Sequence, residues 1–239
     1  MLASGFIREL VLRRDEIASF DDYPYSIPAV RQLDRLTLHP TVTFFVGENG
    51  SGKSTFVEAI AILAGFNAEG GTKNFNTQLR PSESNLYRQL QLIRNAQREK
   101  TGFFLRAETM FNVATEAEQG GYADYGWANL HEHSHGEAFL WLMQNRFGRN
   151  GLYILDEPES ALSPQRQLAA LRLIHDLVAQ GSQFIIATHS PILMAYPNAT
   201  LYWLDANGLR ETRYTETEHY QITHDFMVHH ETVLHHLLD

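Results

Sequence analysis

The sequence of 239 residues contains no cysteine. Its absence excludes disulfide bonds and thiolate chemistry, and it suits a reducing compartment. No apolar run approaches the roughly 20 residues that a membrane-spanning helix needs. The first ten residues predict no secretory signal, because Arg8 and Glu9 interrupt any apolar segment there. We therefore expect a soluble, cytoplasmic protein.

Positive charge is also scarce. The chain has 19 Lys and Arg against 28 Asp and Glu, which gives a formal net charge of −9. This balance argues against a generally basic surface that coats nucleic acid, but it leaves a local basic patch open. The candidate patch lies within residues 80–100, at Arg80, Arg88, Arg94, Arg98 and Lys100. The alternative interpretation of this stretch is a solvated helical face.

Hydrophobic residues make up 44% of the chain, which suffices for a sizeable core. Period and turn residues predict strands at residues 6–13, 41–47, 103–106, 151–156 and 183–188, and a hairpin over 201–214. They predict helices at residues 54–65, 138–147, 168–178 and 220–238, with further helices dominating 70–101. Prolines predict a loop at residues 21–29. The alternation predicts an α/β fold with a mostly parallel central sheet.

A glycine-rich turn joins the predicted strand 41–47 to the following helix. Its residues are Gly47, Glu48, Asn49, Gly50, Ser51, Gly52, Lys53, Ser54 and Thr55. This pattern predicts a P-loop, because glycines allow the backbone N–H groups to curl around phosphate oxygens. Lys53 is expected to reach the β- and γ-phosphates, and the Ser54 hydroxyl is expected to bind Mg²⁺.

Two acidic residues follow the apolar strand 151–156. Asp156 is the expected Mg²⁺ partner, and Glu157 is placed to act on the attacking water as a general base. Such a pair can also cap a helix. The P-loop upstream favours the catalytic interpretation.

A histidine ends the next apolar strand. His189 could hydrogen-bond the γ-phosphate and help to place the water. A lone histidine at a strand end is more often a satisfied structural residue. Its order after a P-loop and an acidic strand end favours a functional role.

The succession of the P-loop, Asp156-Glu157 and Thr188-His189 resembles the ATP-binding-cassette (ABC) class of ATPases. Segments 44–54, 102–108, 134–137 and 154–159 are similar to small stand-alone bacterial predicted ATPases, related to SMC-like heads in the P-loop NTPase superfamily. The resemblance implies ATP and Mg²⁺ as cofactors. It also implies one ABC-type domain over residues 1–239, with N-terminal β elements. Its α/β core would span about 1–70 and 148–239, and an inserted helical subdomain about 71–147.

This class carries a signature motif that faces the γ-phosphate bound by a second protomer. The matching residues here are Ser134 and Gly136, before a predicted helix, although His135 and Glu137 depart from the usual pattern. The resemblance therefore implies a head-to-tail, ATP-dependent homodimer. The alternative is a capping box, in which Ser134 caps the helix and Glu137 reaches back; both interpretations can hold together.

Three further assignments rest on the resemblance. Residues 159–163 would form the loop that crosses the dimer interface. Glu108 stands near the place of a glutamine that senses Mg²⁺, and Tyr23 or Tyr25 would stack on adenine. Either tyrosine could equally be a packing residue.

The remaining histidines give a weaker signal. His131, His133 and His135 alternate on a predicted loop, where metal binding is conceivable. The C-terminal segment holds His219, His224, His229, His230, His235 and His236. We expect these to form a helix that changes charge near pH 6.5 rather than a metal cage.

The biological role is open at this stage. Nucleic-acid maintenance or defence is the favoured setting, with nucleic acid as an unproven partner. The alternative is the ATP-binding subunit of an ABC transporter, which would need a membrane partner. A P-loop phosphotransferase ranks below both.

Overall fold

The structure is a computed structural model that describes residues 5–73, 84–107 and 134–239. Its strands are β1 Ile7–Leu12, β2 Arg35–Thr37, β3 Val42–Gly47, β4 Leu90–Arg94, β5 Thr101–Arg106, β6 Gly151–Asp156, β7 Gln183–Ala187, β8 Thr200–Asp205 and β9 Gly208–Thr212. Its helices are α1 Pro28–Arg31, α2 Lys53–Ala64, α3 His135–Arg146, α4 Pro164–Ala179, α5 Pro191–Met194 and α6 Glu218–Leu238.

The central sheet has the strand order β5-β6-β7-β3-β8-β9. All neighbouring strands are parallel except β9, which forms an antiparallel hairpin with β8. The predicted α/β fold with a mostly parallel sheet is therefore confirmed. Because β3, β6 and β7 are parallel neighbours, their carboxyl ends meet at one edge of the sheet. The P-loop and Thr188 follow the ends of β3 and β7, and Asp156 is the last residue of β6.

Both faces of the sheet are buried, and alternate side chains of each strand point to opposite faces. Phe44 lies in the core beneath α3 and α4, whereas Phe45 lies in the core shared with α2 and the N-terminal strands. On the α2 face, the rings of Phe45 and Phe56 stack with centroids 5.7 Å apart. This packing holds the first turns of α2 against the end of β3.

A small antiparallel sheet of order β2-β1-β4 covers the α2 face, and Gln183 joins it to the central sheet. The fully buried Gln183 amide accepts hydrogen bonds from the N–H groups of Phe6 and Ile7, at 2.7 and 2.9 Å. It donates to the carbonyl oxygens of Ile7 and His39, at 2.8 and 3.0 Å. All hydrogen-bonding positions of this amide are therefore used.

Two sequence predictions are wrong here. Helices do not dominate the described part of residues 70–101, because Leu90–Arg94 is strand β4, paired with β1 through partners such as Leu10 and Leu92. Pairing across the chain overrides the local preference of this polar segment. The predicted loop 21–29 also ends earlier than expected, because Pro28 begins α1. Proline suits the first residue of a helix, since an N–H group at that position has no partner within the helix.

Helix α6 leaves the body of the protein after its first turn. Its backbone is non-helical at His229, and large apolar side chains such as Ile222, Met227 and Leu238 are exposed. The predicted C-terminal helix is confirmed. Among the described residues, no helix combines the length and apolar character that a bilayer crossing requires.

Candidate functional site

The turn between β3 and α2 is closed around glycine positions. Gly52 has φ 99°, and a Cβ there would lie 2.7 Å from Cγ2 of Ile27. A Cβ on Gly47, which has φ 148°, would lie 2.2 Å from the carbonyl oxygen of Leu204 on β8. The backbone therefore needs glycine at both positions, and the first turn of α2 opens toward the sheet edge.

Lys53 is the first residue of α2 and is 3% exposed. Its Nζ donates to the carbonyl oxygen of Glu48 at 2.9 Å. Burial lowers the pKa of Lys53, and the nearby carboxylates of Glu157 and Asp156 oppose this shift. The loop thus holds a buried ammonium group at a helix N-terminus, which is a setting that suits an anion.

Ser51 supplies a second observation on the same loop. Its Oγ is buried and makes no hydrogen bond to any residue that the structure describes. A buried hydroxyl of this kind normally has a partner. A phosphate oxygen seated on the loop would provide one, so the loop residues fit a phosphate group.

Asp156, at the end of β6, lies beside the start of α2. The Ser54 hydroxyl donates to Oδ1 of Asp156 at 3.0 Å, and the residue is 5% exposed. A hydroxyl and a carboxylate are hard oxygen ligands of the kind that Mg²⁺ takes in phosphate sites. The predicted pair is therefore brought together in a form that fits this ion.

Arg106 was not predicted as a site residue. It ends β5 in register with Asp156, and its Nε lies 3.4 Å from Oδ2 of Asp156. Its Nη1 donates to Glu58 of α2 at 2.9 Å. The sequence could have indicated Arg106 as a site residue, because it ends the strand that pairs with β6. Parallel neighbouring strands end at the same edge of a sheet.

Glu157 has a left-handed backbone with φ 47° and ψ 53°. This conformation costs a residue with a Cβ about 1–3 kcal/mol and marks sites where the surrounding structure imposes it. Its backbone N–H donates to the carbonyl oxygen of Ala187, the last residue of β7, over 3.0 Å. Its Oε1 then lies 3.3 Å from Nε2 of His189. The predicted base and the predicted histidine are neighbours.

Glu159 is a second residue that the sequence interpretation did not assign to the site. Its carboxylate accepts from the Thr188 hydroxyl at 2.7 Å and from the backbone N–H of His189. Burial raises the pKa of Glu159, although these hydrogen bonds oppose the shift. Glu159 thereby connects the turn after β6 to the end of β7 and positions the backbone of His189.

His189 also contacts a histidine of α6. Its Nδ1 lies 3.1 Å from Nε2 of His219, and the indole of Trp203 packs edge-on against the His219 ring at 5.5 Å. The sequence interpretation treated His219 only as one of the C-terminal histidines. No local sequence pattern predicts this contact, because His219 lies 30 residues after His189, and only the path of the chain after β9 brings the two rings together.

Ser134 and Gly136 lie at the N-terminus of α3. Ser134 and Glu137 form the capping box, and Arg166 of α4 donates to both side chains, at 3.1 and 2.8 Å. A Cβ on Gly136 would lie 2.7 Å from the carbonyl oxygen of Ala161, in the turn after β6. The capping alternative is therefore present, and Ser134 remains exposed at the helix tip.

The two tyrosines considered for adenine differ in their surroundings. Tyr23 is 56% exposed, and its hydroxyl lies 3.4 Å from Oγ1 of Thr55 at the start of α2. Tyr25 is buried in the core, and its hydroxyl donates to Gln89. Tyr25 is a packing residue, and Tyr23 is the aromatic ring near the P-loop.

The described residues do not include Arg80, Glu108, His131 or His133. Within the described part of the chain, no group of three or more His, Cys, Asp or Glu residues could hold a metal ion. Part of the predicted basic patch is neutralised, because Arg94 pairs with the buried Glu99 at 3.0 Å and Lys73 also contacts this carboxylate.

Comparisons with known proteins agree with this geometry. Residues 19–119, which include the P-loop, match a family model described as "AAA domain". Residues 138–195, which include the ends of β6 and β7, match one described as "AAA domain, putative AbiEii toxin, Type IV TA system". A search of curated proteins found no match. The strand order and both family matches agree with the predicted P-loop NTPase fold.

Two solved structures illustrate the similarity. The SMC head domain from Thermotoga maritima is 14% identical, with 87% of this chain and 99% of that chain covered and a TM-score of 0.49. CbiO1 from Clostridium perfringens, described as part of the ABC transporter complex cbiONQ, is 16% identical, with 98% and 100% covered and a TM-score of 0.48.

Proposed function

We propose that this chain, which has the fold of a P-loop NTPase, binds ATP with Mg²⁺ at the end of β3 and hydrolyses it. One observation carries the proposal. Ser54 meets Asp156 at 3.0 Å and Glu157 meets His189 at 3.3 Å, side by side at one sheet edge. Ligands for a metal and a base with an orienting partner are thus present together.

The roles of the binding residues follow from their surroundings. Lys53 and the loop N–H groups hold the triphosphate, and Ser54 and Asp156 hold the ion. Bound Mg²⁺ neutralises charge on the phosphate oxygens. Lys53 would exchange the Glu48 carbonyl for phosphate, which offers the buried ammonium group a stronger, charged partner.

Glu157 and His189 would act on water. Glu157 is one-third exposed, so its carboxylate can accept a proton from a water molecule that lies against the triphosphate. His189, whose backbone is held by Glu159, would orient that water or the terminal phosphate. The left-handed backbone at Glu157 supports this role, because the carboxylate lies beside His189.

Glu157→Gln tests the assignment, because the amide keeps the shape of the side chain but cannot take the proton. We expect ATP hydrolysis to fall by about 10²–10⁴-fold with ATP affinity unchanged. Glu211→Gln, an exposed acid on β9, is the matched control and should turn over like the parental protein. Hydrolysis of Glu157→Gln at the parental rate would remove Glu157 from the role of base.

Lys53→Ala tests the binding half of the proposal independently. Loss of the ammonium group should abolish nucleotide retention, as measured by calorimetry with ATP and Mg²⁺. Unchanged affinity would count against the P-loop assignment.

We also propose that two copies pair head to tail, with Ser134 and Gly136 of each copy facing the γ-phosphate of the other. The exposure of Ser134 at a helix N-terminus supports this arrangement. Arg166 lies over Gly136, so its guanidinium group would be the first positive charge that the phosphate meets. Hydrolysis would then release the pair, as in other γ-phosphate switches.

Light scattering of the Glu157→Gln protein with ATP and Mg²⁺ tests the pairing. Adding Ser134→Arg should keep ATP binding but leave the protein monomeric. Ser134→Ala is the control, because it removes the same helix cap without adding bulk. A Ser134→Arg protein that still pairs with ATP would exclude this contact.

For the biological role, we favour defence or nucleic-acid maintenance over membrane transport. Residues 138–195 match a family model whose description names the AbiEii toxin and a type IV TA system, and this description supports the preference for defence. Duplex DNA should stimulate ATP hydrolysis, and the stimulation should fall steeply as salt rises. Copurification of the Glu157→Gln protein with a membrane protein would favour the transporter alternative instead.

A further inference from the structure

We propose that His219 is a positioning residue that fixes the ring hydrogen of His189 on Nε2, toward Glu157. The two ring nitrogens in contact are Nδ1 of His189 and Nε2 of His219, 3.1 Å apart. Between two neutral imidazoles at this distance, one nitrogen carries the hydrogen and the other accepts it.

The surroundings of His219 indicate that its ring is the donor in this contact. Its Nδ1 is buried and has no hydrogen-bond partner among the residues that the structure describes. A hydrogen on that atom would be a buried donor without an acceptor, which is rare and costly. Burial also lowers the pKa of His219, which keeps the ring neutral with one hydrogen. That hydrogen therefore lies on Nε2 and is donated to His189.

The contact with His219 also determines whether Nε2, the other ring nitrogen of His189, carries a hydrogen. Because Nδ1 accepts, the hydrogen of neutral His189 lies on Nε2. Nε2 of His189 is also buried without a well-aligned hydrogen bond to a described residue, but Oε1 of Glu157 lies 3.3 Å away, and this carboxylate attracts a hydrogen on Nε2. This N–H is thus an available donor next to the base. The other tautomer would direct a lone pair at the carboxylate and remove this donor.

The first turn of α6 is fixed, as a positioning role requires. Thr217 is 1% exposed and caps the helix by accepting from the N–H of Tyr220. Trp203 packs edge-on against the His219 ring. Side chains further along the helix, such as Ile222 and Met227, are exposed instead. The helix cap and the contact with Trp203 therefore hold His219 together, whereas residues further along the helix have no such support.

The tautomer can be read directly, without nucleotide. Long-range ¹H–¹⁵N NMR spectra of the imidazole rings should show Nδ1 of His189 unprotonated and Nε2 protonated, with His219 protonated on Nε2. In His219→Phe, which keeps a ring but donates no hydrogen bond, the two His189 tautomers should mix. A parental spectrum with hydrogen on Nδ1 of His189 would overturn the inference.

Kinetics give a second readout, which rests on the proposed ATP hydrolysis. His219→Phe should lower kcat by about tenfold, the worth of one hydrogen bond, with KM for ATP unchanged. His219→Gln, whose amide nitrogen can donate from a similar position, should recover most of the loss. His224→Phe, on the same helix and stacked on Tyr220, should behave like the parental protein.

The two proposals fail differently. If the parental protein does not hydrolyse ATP, the proposed function fails while the predicted tautomer still stands in the spectra. If it does hydrolyse ATP and His219→Phe retains the parental kcat, the positioning role of His219 is wrong.

Discussion

Nε of Arg106 lies 3.4 Å from Oδ2 of Asp156, while Ser54 donates to the other carboxylate oxygen at 3.0 Å. Arg106 also holds Glu58, so one guanidinium group balances two largely buried carboxylates. The carboxylate proposed to bind Mg²⁺ therefore already has a cationic partner within the protein. This arrangement makes stability and ion binding depend on each other.

Arg106→Met should lower the free energy of unfolding by about 2–3 kcal/mol, because two carboxylates lose their partner in a mostly buried place. Millimolar Mg²⁺ should restore part of the loss, since the ion can then neutralise Asp156. Thermal unfolding with and without Mg²⁺ measures both effects. Arg172→Met is the matched control, because its ion pair with Asp176 is exposed and should contribute under about 0.5 kcal/mol. Equal losses in the two variants would contradict the prediction.

Gly52→Ala should destabilise the protein more than Gly50→Ala. Both glycines have positive φ, 99° and 79°, so each alanine carries a strain of about 1–2 kcal/mol. A Cβ at Gly50 would enter open space, whereas one at Gly52 would meet Ile27. Overpacking should add about 1 kcal/mol at Gly52. Urea unfolding measures the difference, and a cycle with Ile27→Ala should show coupling between the two positions. Additive effects would mean that no steric conflict exists.

Tyr23→Ala should weaken ATP binding without unfolding the protein. Stacking of a base on an aromatic ring contributes about 1–3 kcal/mol, so the Kd should rise roughly 5- to 150-fold. GTP and ATP should be affected alike, because every base has a stacking face. Tyr25→Phe is the control: it loses one buried hydroxyl and should cost about 1 kcal/mol of stability with no change in Kd. The prediction is wrong if Tyr25→Phe, rather than Tyr23→Ala, weakens binding.

Glu159 predicts a pH dependence of stability. Burial raises its pKa in the folded protein above the value in the unfolded chain. The folded state therefore binds the proton more tightly, and this contribution to stability is fully present below the unfolded pKa. It is lost as the pH rises through the folded pKa.

Glu159→Gln carries no titrating carboxyl group, so it should remove this slope. Urea unfolding of the parental and variant proteins between about pH 4 and 7 measures it, because other titrating groups cancel in the difference. A constant difference across this range would show that Glu159 keeps its ordinary pKa.

Elements with a local signal were predictable from the sequence. Strand β6 is an apolar run that ends in Asp156, and β7 is apolar after Gln183. Helix α2 is capped by Gly65, whose φ of 93° suits a left-handed cap. The P-loop residues are consecutive, so their pattern is complete in the sequence. Asp156 and His189 follow strands whose parallel order brings their ends to one edge.

Contacts between distant segments were not predictable in the same way. Strand β4 exists because β1 pairs with it, not because its own residues alternate strongly. Arg106, Glu159 and His219 each act on the site from an element whose position only the fold determines. His219, the second residue of α6, has the same local sequence pattern whether it packs on His189 or faces water.

The Gln183 amide has a consequence for how the two sheets can meet. A sliding of the N-terminal strand by one residue would leave the amide and the backbone groups of Phe6 and Ile7 without partners in a dry interior. A leucine in this place would tolerate several alignments, because apolar contact has no direction. The amide therefore acts as a selector of a single alignment, and misaligned forms are excluded by their unmade hydrogen bonds.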